Sequence, residues 1–208
     1  MWLTLLVSGL ATLIGVVLGV PFGMWLGLDR FRGRGLLLTV VNAGMGVPPV
    51  LAGLLLLLLL WAEGPLGSLE GLFTPWAMVA SQAILALPIA AGLTAAAARG
   101  LTVDAREQLA ALHLSKIRRG WLAGIEMWPG VAAAIAAAFG RVVSEVGAVL
   151  VVGGNIKGET RVLTTAIVQE ARQARFGAAV ALGVILLTMA LIVNGAITWL
   201  QLRETKHG

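Results

Sequence analysis

Arg141 and Glu145 stand four residues apart in Phe139-Gly-Arg-Val-Val-Ser-Glu-Val-Gly-Ala148, inside an otherwise apolar stretch. On a helix that spacing puts both side chains on one face, with Ser144 beside them. A charge at the centre of a membrane helix costs about 2.5–3.5 kcal/mol on insertion scales, so charges retained there face a protein interior or a water-filled path. Arg141 lies 12 residues beyond Pro129, some ~18 Å along a helix and so near mid-membrane. Two chemistries are open to the pair. An arginine at that depth lowers the barrier to a passing anion. Alternatively the two form a buried ion bridge, within the helix or across a dimer, that only fixes packing. A glutamate beside an anion path favours the second slightly.

Other polar groups cluster beyond this pair. Gly153-Gly-Asn155 would break the helix, and either lines a gate with backbone N–H groups and the Asn155 amide or is a plain helix C-terminus. Thr164 and Thr165 either offer hydroxyls to a path or begin the next helix. An intramembrane enzyme built on Glu145 would need a second catalytic group. The apolar segments offer none, and His113 and His207 fall between or after them. The chain has no cysteine, so no disulfide, thiolate metal site or cysteine nucleophile is available, and no metal or other cofactor is expected. Ile156-Lys-Gly-Glu-Thr160 lacks the spacing of a phosphate-binding loop.

The elements that must carry these groups are apolar. Of 208 residues, 59% are hydrophobic and 12% charged, and mean hydropathy is +0.94, a composition of integral membrane proteins rather than soluble domains. Five segments reach the ~20 residues that cross a ~30 Å hydrocarbon core: about 2–28, 36–61, 75–98, 129–152 and 176–201. The first has no positive leader region and reads as a retained helix. Gly44-Met-Gly-Val-Pro-Pro49 and Leu85-Ala-Leu-Pro88 predict kinked or broken helices. Ala132, Ala136, Gly140, Ser144, Gly147 and Ala148 predict close packing on one face of the fourth span. Basic residues number 3, 0, 5 and 4 in the successive connections and 2 in the tail. The positive-inside rule therefore puts the N-terminus outside and the C-terminus in the cytoplasm. The net charge of +5 is thus a matter of topology, with no nucleic acid implied.

The connection at about 99–121 is helical in pattern. Leu101, Ala105, Leu109, Leu112 and Ile117 form an apolar stripe among charges, suited to the membrane interface or to the groove of a soluble partner. Asp104 suits the helix start, and Lys116 to Arg119 its C-terminal dipole.

Glu107-Gln-Leu-Ala-Ala-Leu-His113, followed by Ser115, resembles the ATPase-docking loop of permease subunits of ATP-binding-cassette importers, with Glu107, Ala110 and Leu112 in the matching places. His113 stands where that motif has glycine. The usual Ile-x-Leu-Pro end is Ala123-Gly-Ile-Glu126, with proline only at Pro129. Gly140 to Ala148, Val152-Gly-Gly-Asn-Ile156, Thr160-Arg-Val-Leu-Thr-Thr-Ala166 and Gly44 to Pro49 resemble permeases of oxyanion importers, most of all the tungstate type. Molybdate and sulfate permeases are the alternative.

The resemblance spans nearly the whole chain and implies an all-α permease of about five transmembrane helices in the prokaryotic cytoplasmic (inner) membrane. It implies a homodimer in lipid, cytoplasmic ATPase subunits that hydrolyse the ATP, and an extracytoplasmic oxyanion-binding protein. Arg141, Ser144, Glu145, Gly153, Gly154, Asn155, Thr164 and Thr165 are then expected along the pathway or its gate. Asp104, Glu107, Ala110, Leu112, His113 and Ser115 are expected in the coupling loop. A proton-coupled carrier using Arg141 and Glu145 would instead transport without an ATPase.

Overall fold

A computed structural model describes the backbone of residues 1–112 and 115–204. Among these residues the regular structure is helical. Three helices are each long and apolar enough to cross a membrane: α1 (Trp2–Leu28), α4 (Pro75–Arg99) and α10 (Phe176–Glu204). The others are α2 (Arg34–Met45), α3 (Pro49–Leu60), α5 (Val103–Ala111), α6 (Lys116–Glu126), α7 (Trp128–Val143), α8 (Gly147–Gly153) and α9 (Leu163–Arg172).

Glycine sets the central contact. Gly15, Gly19, Gly23 and Gly27 recur every fourth residue of α1 and so share one face. A Cβ on Gly15 would stand 2.5 Å from Ala86 Cβ, on Gly19 2.7 Å from the Leu87 carbonyl oxygen, and on Gly27 2.9 Å from that of Ala95. The α1 and α4 backbones therefore touch along most of their length, as small residues permit in lipid. The paired numbers rise together, so α1 and α4 are parallel.

The remaining directions follow from the same kind of pairing. Gly130 of α7 meets Ala97 of α4, while Gln82 reaches Val142, so α7 runs antiparallel to α4. Gln201 of α10 donates to the Pro129 carbonyl, and Phe139 and Val143 pack with Met189, so α10 is antiparallel to α7. Because α1 and α4 are parallel, the chain between them must cross back, and α2 with α3 supplies that crossing. These two helices are bent by 98° where Pro48 and Pro49 withhold two backbone N–H groups. With each bent pair taken as one span, up to five alternating crossings result, and α6 turns into α7 through 83°.

Two sequence-based expectations need correction here. The fourth apolar segment, expected as one helix over 129–152, is interrupted between α7 and α8 at Ser144–Val146. The connection at 99–121 is two helices, α5 and α6. Lys116 to Arg119 therefore begin α6 instead of ending a longer helix, and Ser115 caps α6 by accepting from the Arg118 N–H at 3.4 Å.

Candidate translocation site

The α7–α8 interruption is held from several sides. Ser144 turns its hydroxyl back to the Gly140 and Arg141 carbonyls at 2.8 and 3.2 Å, which ends α7. Glu145 then accepts at Oε1 from the Gly147 and Ala148 N–H groups, at 2.6 and 3.3 Å. A carboxylate at a helix N-terminus satisfies orphan donors and opposes the dipole. Thr164 donates to the Glu145 carbonyl at 3.0 Å, and Gln82 of α4 donates to the Val142 carbonyl at 3.2 Å. Backbone groups freed by the interruption thus find partners both within it, from Ser144 and Glu145, and from other elements, through Gln82 and Thr164, as a site inside lipid demands.

The two interrupted crossings also meet. A Cβ on Gly147 would stand 2.5 Å from Val50 Cγ2, and one on Gly53 2.8 Å from Ala148 Cα. The first turns of α3 and α8 are therefore in contact, and each glycine is required by the other strand of the contact.

Within this frame the charged pair divides. Glu145 is 7% exposed and anchored by backbone. The Arg141 side chain is 40% exposed and approaches Glu145 Oε2 only at 4.0 Å, its one polar partner among the described residues. Arg141 projects from a face of α7 made of small groups: Ala133, Ala137 and Ser144 are exposed, Ala136 and Gly140 half-buried. That face offers room and one positive charge at mid-crossing, a combination suited to an anion.

The other sequence candidates lie toward one end. Gly153 closes α8, and Gly154, at φ +68°, donates to the Leu150 carbonyl at 3.0 Å, an ordinary left-handed helix terminus. Asn155, at φ +55°, gives its amide N–H to Gln169 Oε1 at 3.0 Å and accepts from Arg161 Nε at 3.1 Å. Thr165 is buried and accepts from the Val162 N–H at 3.1 Å, starting α9. The structure thus brings Arg141, Ser144, Glu145 and Thr164 together, with Gly153, Gly154 and Asn155 set apart at the far end of α8.

The coupling-loop candidates lie at the opposite end. Thr102 caps α5 by accepting from the Ala105 N–H at 3.2 Å, and Asp104 sits exposed in the first turn. Glu107, Leu112 and Ser115 are exposed. Ala110 lies within α5, and His113 lies outside the described residues. Arg106, absent from the expected set, donates to the carbonyls of Ala98, Arg99 and Leu101 and fastens α5 to the end of α4. Trp121 and Ile125 of α6 are 73% and 59% exposed.

Gln82 and the α1 glycines were likewise missed. A lone amide inside an apolar helix was a legible signal, because buried polar groups in lipid usually have partners. The four-residue glycine period was legible too.

The binding-protein-dependent transport system inner membrane component family matches residues 19–206. A probable anion ABC transporter permease protein of Haloferax volcanii is 41% identical over 196 residues, 92% of this chain and 84% of that one. A tungstate uptake system permease of Peptoclostridium acidaminophilum is 36% identical over 200 residues, 96% and 88% of the two chains. One from Campylobacter jejuni is 34% identical over 165 residues, 79% and 69%. With residues 19–206 matched, the chain belongs to the family of binding-protein-dependent transport system inner membrane components.

Proposed function

We propose that the chain is the membrane permease of an ATP-driven tungstate importer. It would work as a homodimer, with separate ATPase subunits at the arginine-rich end and an anion-binding protein at the other. The observation that supports an anion path is the division within the charged pair. Glu145 is buried and engaged by the N–H groups that begin α8, which leaves the Arg141 charge as the one that faces a roomy surface. The small-residue face of α7 would meet its copy across the dimer and enclose the path. Ser144, Thr164 and Thr165 would border it through the elements they hold, and Gly153, Gly154 and Asn155 would form its outer limit. The tungstate assignment draws on the two uptake-system relatives at 36% and 34% identity.

The orientation follows from charge. The segments at the end where α1, α4 and α10 finish hold ten basic and five acidic residues, and those at the other end four of each. The ten-residue end is cytoplasmic by the positive-inside rule. There α5, with Asp104, Glu107 and Ala110, and Leu112 just after it would enter a groove of the ATPase, with His113 and Ser115 as the other members of the coupling loop.

Purification from native membranes in mild detergent tests this reading. An ATPase at one copy per permease, and uptake of tungstate that excess molybdate and sulfate fail to suppress, are expected. Equal suppression by molybdate would transfer the assignment to that anion.

A further inference from the structure

Asp29 follows α1 directly, and its carboxylate is paired with the Arg119 guanidinium of α6 across 90 residues of sequence. The two side chains are 20% and 33% exposed. A half-exposed ion pair contributes little to stability, so its value lies in what it connects. Beside it, Gly124 of α6 leaves room for Met24 of α1, whose Cε would stand 2.8 Å from a Cβ at that position.

On the far side of this contact, α1 is joined to α4 by its four glycines. The α1–α4 pair in turn touches each part that would have to move. Gln82 of α4 holds the carbonyl of Val142 at the α7–α8 interruption. Thr4, at the other end of α1, accepts from the Leu163 N–H that begins α9, at 3.0 Å. Arg106 fixes α5 to the last carbonyls of α4. The pair is therefore a strut across the whole membrane, with α5 fastened to one member by the Arg106 side chain on its carbonyls and α6 to the other by the Asp29–Arg119 ion pair beside the Met24–Gly124 contact.

We infer that Asp29 and Arg119 form the joint through which movement of the docking helices is passed to the α1–α4 strut, and so to the Arg141 interruption. Both are positioning residues. The inference rests on the ATPase-coupled reading above. A broken joint leaves ATPase binding to α5 intact, yet lets α6 slip against α1 while the nucleotide is consumed.

The test uses the complete complex of permease, ATPase and binding protein in proteoliposomes, with tungstate as the transported probe. Asp29→Asn and Arg119→Gln are expected to keep the ATPase bound and hydrolysing ATP while tungstate carried per ATP falls about tenfold. The reversed pair, Asp29→Arg with Arg119→Asp, should restore most of that ratio. If the single variants fail to accumulate, restored coupling in the reversed pair still supports the joint, and a reversed pair without uptake overturns it. An unchanged ratio in the single variants overturns it, as does a parallel fall of uptake and hydrolysis, which would mark a merely structural contact. Absence of any ATPase on the wild-type permease overturns the importer reading itself and the joint with it.

Discussion

At the scale of single residues, Glu145 and Arg141 have separate tasks although sequence spacing pairs them. One carboxylate oxygen of Glu145 accepts two N–H groups of α8, and its loss leaves those donors unsatisfied. Glu145→Ala should therefore destabilise the permease by about 1–2 kcal/mol, seen as a lower melting midpoint in detergent. Arg141→Met removes a half-exposed charge with a distant partner and should leave that midpoint nearly unchanged. Its anion flux should fall about tenfold or more, equivalent to about 1.4 kcal/mol of added barrier. Normal uptake by a folded Arg141→Met complex would exclude Arg141 from the path. The spacing of the pair was legible in the sequence. That the carboxylate would turn to α8 was not, because the choice depends on Val50 and Gly53 of α3 lying against Gly147 and Ala148.

Among elements, the joining of α1 to α4 leaves no space for side chains where the glycines stand. A Cβ on Gly23 would meet Thr94 Cβ at 2.9 Å as well as the Ala91 backbone. Gly23→Leu must separate two backbones that rely on close approach for their packing, and it should abolish accumulation of folded permease, measured by size-exclusion of a fluorescent fusion. Gly9→Ala, with open space around it, should accumulate as wild type. Equal yields from both would contradict the α1–α4 packing. The apolar crossings were legible from hydropathy alone, and Pro48–Pro49 marked the bend of the second. The α7–α8 interruption was hidden because Val142 to Val152 is apolar enough to continue a helix. The capture of its backbone groups by Ser144, Gln82, Glu145 and Thr164 makes ending α7 there favourable.

For the whole molecule, parallel α1, α4 and α10 with antiparallel α7 and α2–α3 fix which loops share a side. The cysteine-free chain makes that arrangement easy to check. In right-side-out vesicles a membrane-impermeant maleimide should label Lys157→Cys and leave Arg32→Cys unlabelled until the membrane is opened. Labelling of both, or the reverse pattern, would contradict the orientation. The uneven arginines of the sequence predict the orientation this labelling tests, even though the loop after α8 holds four basic residues. That loop is balanced by Glu159, Glu170 and two further glutamates at the same end, and Arg161 and Arg175 are tied to Asn155 and Glu170.

The most direct test of the central claim is radiolabelled tungstate uptake into proteoliposomes that contain the permease alone, with ATPase, and with ATPase and binding protein together. Uptake only in the complete set, and only with ATP inside to reach the arginine-rich face, is the predicted result. Uptake by the permease alone under a proton gradient, indifferent to ATP, would contradict it and make the Arg141 site that of a self-sufficient carrier.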